Sequence, residues 1–265
     1  VKSITRKAWL AWGIVLAILL IDQCAKIYVK LHFALRESVE VTSWFHIAFI
    51  ENNGMAYGME LGNKLLLTLF RIVAVGFFGY SMWRGVKQGV KTGLLICMAL
   101  VVAGALGNIV DCVCYGRLFT DSYGHVAQCT LTSGLPGYAP WFRGRVVDML
   151  YFPLIEFNWP DWVPTAGQQL SIGSFSFAWS PTLPCSDEPF RFFEPVFNIA
   201  DSAICVGFAV MVLFYYKSMV DLFDDICHAI RCGRPSASAD AEAGGTSAEK
   251  TAAAANKVAR KEGEA

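Results

Sequence analysis

Two aspartates stand where acids are costly. Asp201 lies in VFNIADSAIC (196–205), which opens an apolar run reaching Tyr216 and also contains Asn198. A carboxylate in a membrane-length apolar segment costs at least a few kcal/mol at the helix centre, so it is a functional candidate whose partner must be sought. The best partner upstream is Asp148 in RVVDMLYF, a second lone acid in an apolar setting. Two close carboxylates cannot both ionise easily, so one pKa rises and the pair holds a single proton. Such a pair can hydrolyse a peptide. The charged member takes a proton from attacking water, and the protonated member donates to the carbonyl oxygen. No Ser–Lys pair, HExxH or reactive Cys–His pattern offers another route, and no cofactor or metal is expected.

Other polar residues fall at the same ends of the apolar runs. Asp22 and Lys26 are four residues apart, on one helical face, with the acid N-terminal to the base. They form either a structural ion pair or a brace for a nearby site. Asn108 and Asp111 stand about one turn apart in AGALGNIVDCVCYG, where they can cap the helix or bond across helices. Asn53 and Gly54 sit in ENNGMAYG, a tight-turn signal ahead of the second run. Arg71 lies about 12 Å into that run at 1.5 Å per residue. It faces the interior or a wet cavity, or else snorkels to the outer surface. Scatter alone would not bring polar residues from four runs to one depth, so a shared polar site on the outward side is the economical account.

The elements that must hold these groups are membrane helices. The chain of 265 residues is 55% hydrophobic and 17% charged, with a mean hydropathy of +0.43. A soluble domain averages about 45–50% apolar and about 25% charged. The excess falls in four runs, 8–29, 65–83, 93–115 and 196–216, each near the roughly 20 residues that span a bilayer. The expected fold is therefore an α-helical membrane protein with four transmembrane helices, outward loops at 30–64 and 116–195, and a β-like outward region. Lys2, Arg6 and Lys7 precede the first run, and Arg84, Lys87 and Lys91 fill the link between the second and third. The positive-inside rule puts both clusters, and both termini, in the cytoplasm. The first run is too long for a signal-peptide core and is expected to remain.

Alternation in Val39, Val41, Ser43, Phe45, Ile47 and Phe49 predicts a short strand or hairpin. SFSFAWS in the second loop could also pair as strands. Residues 1–218 form the helical domain, 219–234 an amphipathic segment on the inner surface, and 235–265 a disordered cytoplasmic tail. The nine cysteines show no zinc spacing. Cys129 and Cys185 share the outward loop, as a disulfide or as two free thiols. No basic patch points to nucleic acid.

The ordered pieces DQCAK (22–26), ENNGMAYG (51–58), GALGNIVD (104–111), GRVVDM (144–149) and FNIADSAICVG (197–207) resemble the lipoprotein signal peptidases, signal peptidase II, of bacteria. The resemblance implies a four-helix aspartic protease of the inner membrane with its site toward the periplasm. Its substrates would be prolipoproteins, cut just before a diacylglyceryl-modified Cys, with membrane lipids around it. It carries catalytic roles onto Asp148 and Asp201, and substrate-facing roles onto Asn53, Gly54, Asn108 and Asn198. It makes Asp22 important for the integrity of the site, and Lys26, Arg71 and Asp111 are expected from their own positions to support it. Two departures stand out. Cys112 replaces an Arg that usually follows the motif's Asp, and insertions fall at about 117–143 and 153–194. The alternative is a four-helix transporter or an inactive scaffold with buried acids. A transporter predicts an internal repeat and polar residues reaching the inner side, and neither is visible.

Overall fold

Helices and a small sheet carry this chain in a computed structural model, which describes residues 2–52, 64–160, 162–165, 167–172, 175–178 and 190–232. Asn53, Gly54, Cys185 and the tail 235–265 lie outside the described residues. The long helices are α1 (Lys2–His32), α2 (Lys64–Gln88), α3 (Thr92–Val110) and α4 (Ile199–Cys232). Three helical stretches among the described residues are long and apolar enough to cross a membrane: Ile4–His32, Thr92–Leu118 and Ile199–Arg231.

α3 is the central element, packed against α1, α2 and α4. It is buried around most of its circumference, from Leu94 and Leu95 to Gly107 and Asn108, as a helix apolar on all sides should be. The other helices expose apolar side chains, among them Leu16, Leu20, Phe70, Val73, Leu213 and Phe214. An outer surface of that kind suits hydrocarbon. Gly104 makes the α3–α4 contact possible, because a Cβ there would run into the carbonyl oxygen of Ala200.

α3 does not stop at Val110. It widens into a π-helical turn, Asp111–Tyr115, and ends in a last turn, Gly116–Leu118. π-Turns of this kind gather at functional sites.

α4 differs from expectation at both ends. It begins at Ile199 rather than Val196, because Asn198 caps it: Asn198 Oδ1 accepts the N–H of Asp201 at 2.8 Å. At the other end the separate amphipathic segment expected at 219–234 is the continuation of the same helix to Cys232. Its apolar stripe, Leu222 and Ile226, is buried in one core with Met82, Val86 and Leu95, so that face is already covered by protein.

The expected hairpin forms strands β1 (Ser38–Thr42) and β2 (Phe45–Asn52). A third strand, β3 (Val146–Tyr151), pairs antiparallel with β2 and completes a sheet in the order β1-β2-β3. Val146 to Met149 are all buried, so apart from Asp148 the strand reads in sequence as an apolar run without alternation. Further on, β4 (Ile155–Phe157) pairs with β7 (Phe190–Phe192), and β5 (Gln169–Ile172) with β6 (Phe175–Ala178). Val29, Phe49, Tyr115, Phe119, Val147 and Met149 form a second core that binds the sheet to the ends of α1 and α3.

Candidate active site

Asp22, Lys26 and Lys30 stand at four-residue intervals on one face of α1, all buried. Each reaches a different element. Asp22 Oδ1 accepts the backbone N–H of Ala200 in the first turn of α4 at 2.9 Å, where a carboxylate meets the positive end of the helix. Its Oδ2 pairs with Lys26 Nζ at 2.9 Å. Lys26 also meets Asp111 Oδ2 at 2.8 Å and donates to Asn108 Oδ1 at 2.9 Å. Gln23 Nε2 bridges the two acids, at 3.1 Å from Asp22 and 2.9 Å from Asp111. Asp22 can lie against α3 because residue 107 is glycine; a Cβ there would sit 2.6 Å from its Oδ2.

The amides stand in front of this buried ionic group. Asn108 shows its oxygen to Lys26, so its Nδ2 is turned outward and donates to Asp201 Oδ1 at 2.7 Å. Asn198, at the head of α4, directs Nδ2 to Asp148 Oδ1 at 2.7 Å, with Asn108 Oδ1 and Val147 O each at 3.2 Å. The two carboxylates are thus joined through a pair of asparagines, with Lys26 behind them. Asp148 and both asparagines are buried, whereas Asp201 is half-buried and forms the open side.

β3 is clamped on both edges. Beyond its pairing with β2, Met149 and Leu150 donate to the Phe197 carbonyl at 3.0 and 2.7 Å. Val147 N donates to Asp111 Oδ2 at 3.3 Å, and Gly144 N to Cys112 O at 2.8 Å. A side chain at Gly144 would collide with the Asp111 carbonyl. The strand that carries Asp148 is therefore seated on the π-turn of α3. Burial pushes the Asp148 carboxyl up from 3.8 to about 7, and the neighbouring Asp201 charge adds to the rise. Hydrogen bonds from Asn52 and Asn198 and the charge of Lys26 oppose it.

Asn52 escaped the sequence reading, which singled out its neighbours Asn53 and Gly54. The side chain of Asn52 hydrogen-bonds Asp148. The reason is a bulge. β2 pairs Ile47 with Leu150 but Ile50 with Asp148, so two residues oppose one and the alternation changes phase. A second unforeseen group lies on the far face of the sheet. Glu51 pairs with Lys30 and, at 2.7 Å, with Arg145. In the sequence Glu51 and Arg145 are marked by standing within ENNGMAYG and GRVVDM, and Lys30 by its four-residue spacing from Lys26.

Arg71 is half-buried, with Nη1 3.2 Å from Cys112 Sγ. It points to the π-turn that also carries Asp111. Cys129 is half-buried. Among the described residues no group of three or more His, Cys, Asp or Glu side chains is placed to hold a metal ion.

Comparison with known proteins gives a consistent picture. The family described as signal peptidase (SPase) II matches residues 14–217. The chain is similar to the lipoprotein signal peptidase of Porphyromonas gingivalis, at 42% identity over 80% of this chain and 85% of that one. It is also similar to the lipoprotein signal peptidase of Amoebophilus asiaticus, at 32% identity over 79% and 78%. A solved bacterial membrane enzyme covers 80% of this chain and 90% of its own, at 18% identity and a TM-score of 0.47.

Proposed function

The chain belongs to the signal peptidase II family, and we propose that it removes signal peptides from diacylglyceryl-modified prolipoproteins as an aspartic protease, with Asp148 and Asp201 as the reacting pair. The observation that carries this reading is the bridge Asp148–Asn198–Asn108–Asp201, which brings two lone acids from separate elements to one polar site. The transporter and scaffold alternatives are not favoured.

Asp148, buried and with its carboxyl pushed up to about 7, suits the member that holds the proton at working pH. Asp201, half-buried on the open side, suits the member that meets water. Water attacks the scissile carbonyl carbon as Asp201 takes its proton, and Asp148 donates its own to the carbonyl oxygen. When the tetrahedral intermediate collapses, the proton on Asp201 passes to the leaving nitrogen and Asp148 recovers its own. Asn108 and Asn198 hold the carboxylates in place before substrate arrives. Preorganised donors of this kind usually make the largest contribution to such a step.

We take α2 as the fourth membrane span, with both termini cytoplasmic and the dyad toward the periplasmic side of a bacterial inner membrane. An apolar signal helix in the bilayer and a lipidated Cys at headgroup depth then deliver the scissile bond to the pair, which lowers the entropic cost of alignment. Asn53 and Gly54, next along the chain from β2, are assigned a substrate-facing role. Asp22, Lys26 and Asp111 support the dyad from behind, and Arg71 supports it from α2.

A gel-shift processing assay on a lipidated prolipoprotein in reconstituted membranes tests the dyad. Asp148→Asn and Asp201→Asn should each abolish cleavage while leaving expression and insertion near wild type. More than a few percent of residual rate in either variant removes that residue from the reacting pair.

A further inference from the structure

The β2–β3 ladder carries two diagonal side-chain pairs on opposite faces. Asn52 stands opposite Val146, and its side chain reaches Asp148, two residues along β3 on the same face. Glu51 stands opposite Val147, and its side chain meets Arg145, two residues back on the other face. The diagonals slope in opposite senses, so sliding β2 either way along β3 stretches one of them. Both depend on the bulge between Ile47 and Ile50. If the pairing of Ile47 with Leu150 ran on without it, residue 49 would oppose Asp148 and Glu51 would share its face. A one-residue slip reverses every side chain in this way. It would replace an amide donor to Asp148 with a third carboxylate.

Something must hold Glu51 on the far face. Glu51 is 2% exposed, and Lys30, which pairs with it, is fully buried. Lys30 also donates to Ser122 Oγ at 2.9 Å. Arg145 lies over the ring of Tyr138, with its guanidinium carbon 4.9 Å from the ring centre, and its backbone N donates to the Tyr138 hydroxyl at 2.7 Å. The cations come from two elements, α1 and the foot of β3, so Glu51 is fixed against both. α1 is the same helix whose Asp22 and Lys26 set α4 and α3.

We propose that Glu51, gripped by Lys30 and Arg145, is a positioning residue for cleavage: it locks the bulged register in which Asn52, and not Glu51, faces Asp148. This rests on the dyad reading. Glu51 acts through Asn52 and does not touch the reacting atoms. The charged groups that face Asp148 itself are Asp201 from α4 and Lys26 from α1, so Glu51 influences it through geometry.

The test is a double-mutant cycle on the full-length chain in reconstituted membranes, reading kcat, KM and the pH profile on a lipidated prolipoprotein. Glu51→Ala and Asn52→Ala should each lower kcat by about a hundredfold, the lower end of what a misplaced or missing donor costs, with KM within about twofold. Both should move the alkaline limb of the profile to higher pH, because each removes the same donor to charged Asp148. The double variant should fall no further than Asn52→Ala alone. Arg145→Lys, which keeps the charge, should retain more rate than Arg145→Gln. Strict additivity of the pair, or a Glu51→Ala profile that superimposes on wild type, overturns the proposal. If Glu51→Ala does not fold, the same cycle with Glu51→Gln decides by the same criteria. Wild-type cleavage and an inactive Asp148→Asn control in the same membranes separate failure of this inference from failure of the dyad reading.

Discussion

Lys26 is the group on which the buried site depends most, and Lys26→Met isolates its charge from its bulk. Met keeps an unbranched apolar stem but none of the three contacts to Asp22, Asp111 and Asn108, all at 2.8–2.9 Å. Removing one partner of a buried ion pair costs about 3–5 kcal/mol, because the other charge is left unpaired in low dielectric. Here Asp22 and Asp111, each at most 1% exposed, would both be left. At about 2–4 °C per kcal/mol for a chain of this size, the melting temperature in detergent should drop by roughly 10 °C. Cleavage should fall further than stability explains, since the Asn108 oxygen would lose its 2.9 Å charged donor and keep only the longer 3.2 Å contact with Asn198 to hold Nδ2 toward Asp201. The decisive variant is Lys26→Met with Asp111→Asn. Removing one stranded acid should recover much of the melting temperature and little of the rate. A Lys26→Met protein that melts within about 2 °C of wild type refutes the energetic argument. Full recovery of rate in the double variant refutes the orienting role.

The pH dependence of stability follows from Asp148. Its folded-state pKa of about 7 lies above the ordinary 3.8, so the folded form binds more protons between those values and stability falls as pH rises through them. About three pH units correspond to an upper bound of about 4 kcal/mol. Asp148→Asn should therefore gain melting temperature over wild type at pH 8 relative to pH 5, and a constant difference across that range contradicts the burial argument. Arg71→Gln should impair cleavage, and adding Cys112→Arg should restore part of it, because the two positions are already in contact and a guanidinium would be returned to the π-turn. Strict additivity in that cycle shows that Arg71 does not compensate for the missing arginine.

Much of this protein is decided along the chain itself. Apolar runs of membrane length, acids placed inside them, and basic flanks are local features, and each carries a free-energy cost or gain that can be weighed without knowing the fold. Asp148 and Asp201 are legible for that reason, as are Asp22 and Lys26, whose spacing on a helix is fixed by its 3.6-residue turn. Alternation from Val39 to Phe49 likewise announced the first hairpin. Other features depend on what packs against what. β3 is covered on both faces, so no polar alternation marks it as a strand. The continuation of α4 to Cys232 depends on α2 and α3 covering Leu222 and Ile226. Lys30, Glu51 and Arg145 are far apart in sequence and meet only because α1 passes behind the sheet. Whether Asn52 or its neighbour faces Asp148 turns on a single extra residue in β2. A period of two carries no record of its own phase, so a bulge that the tertiary contacts impose can reassign a side chain while leaving the sequence pattern as it was.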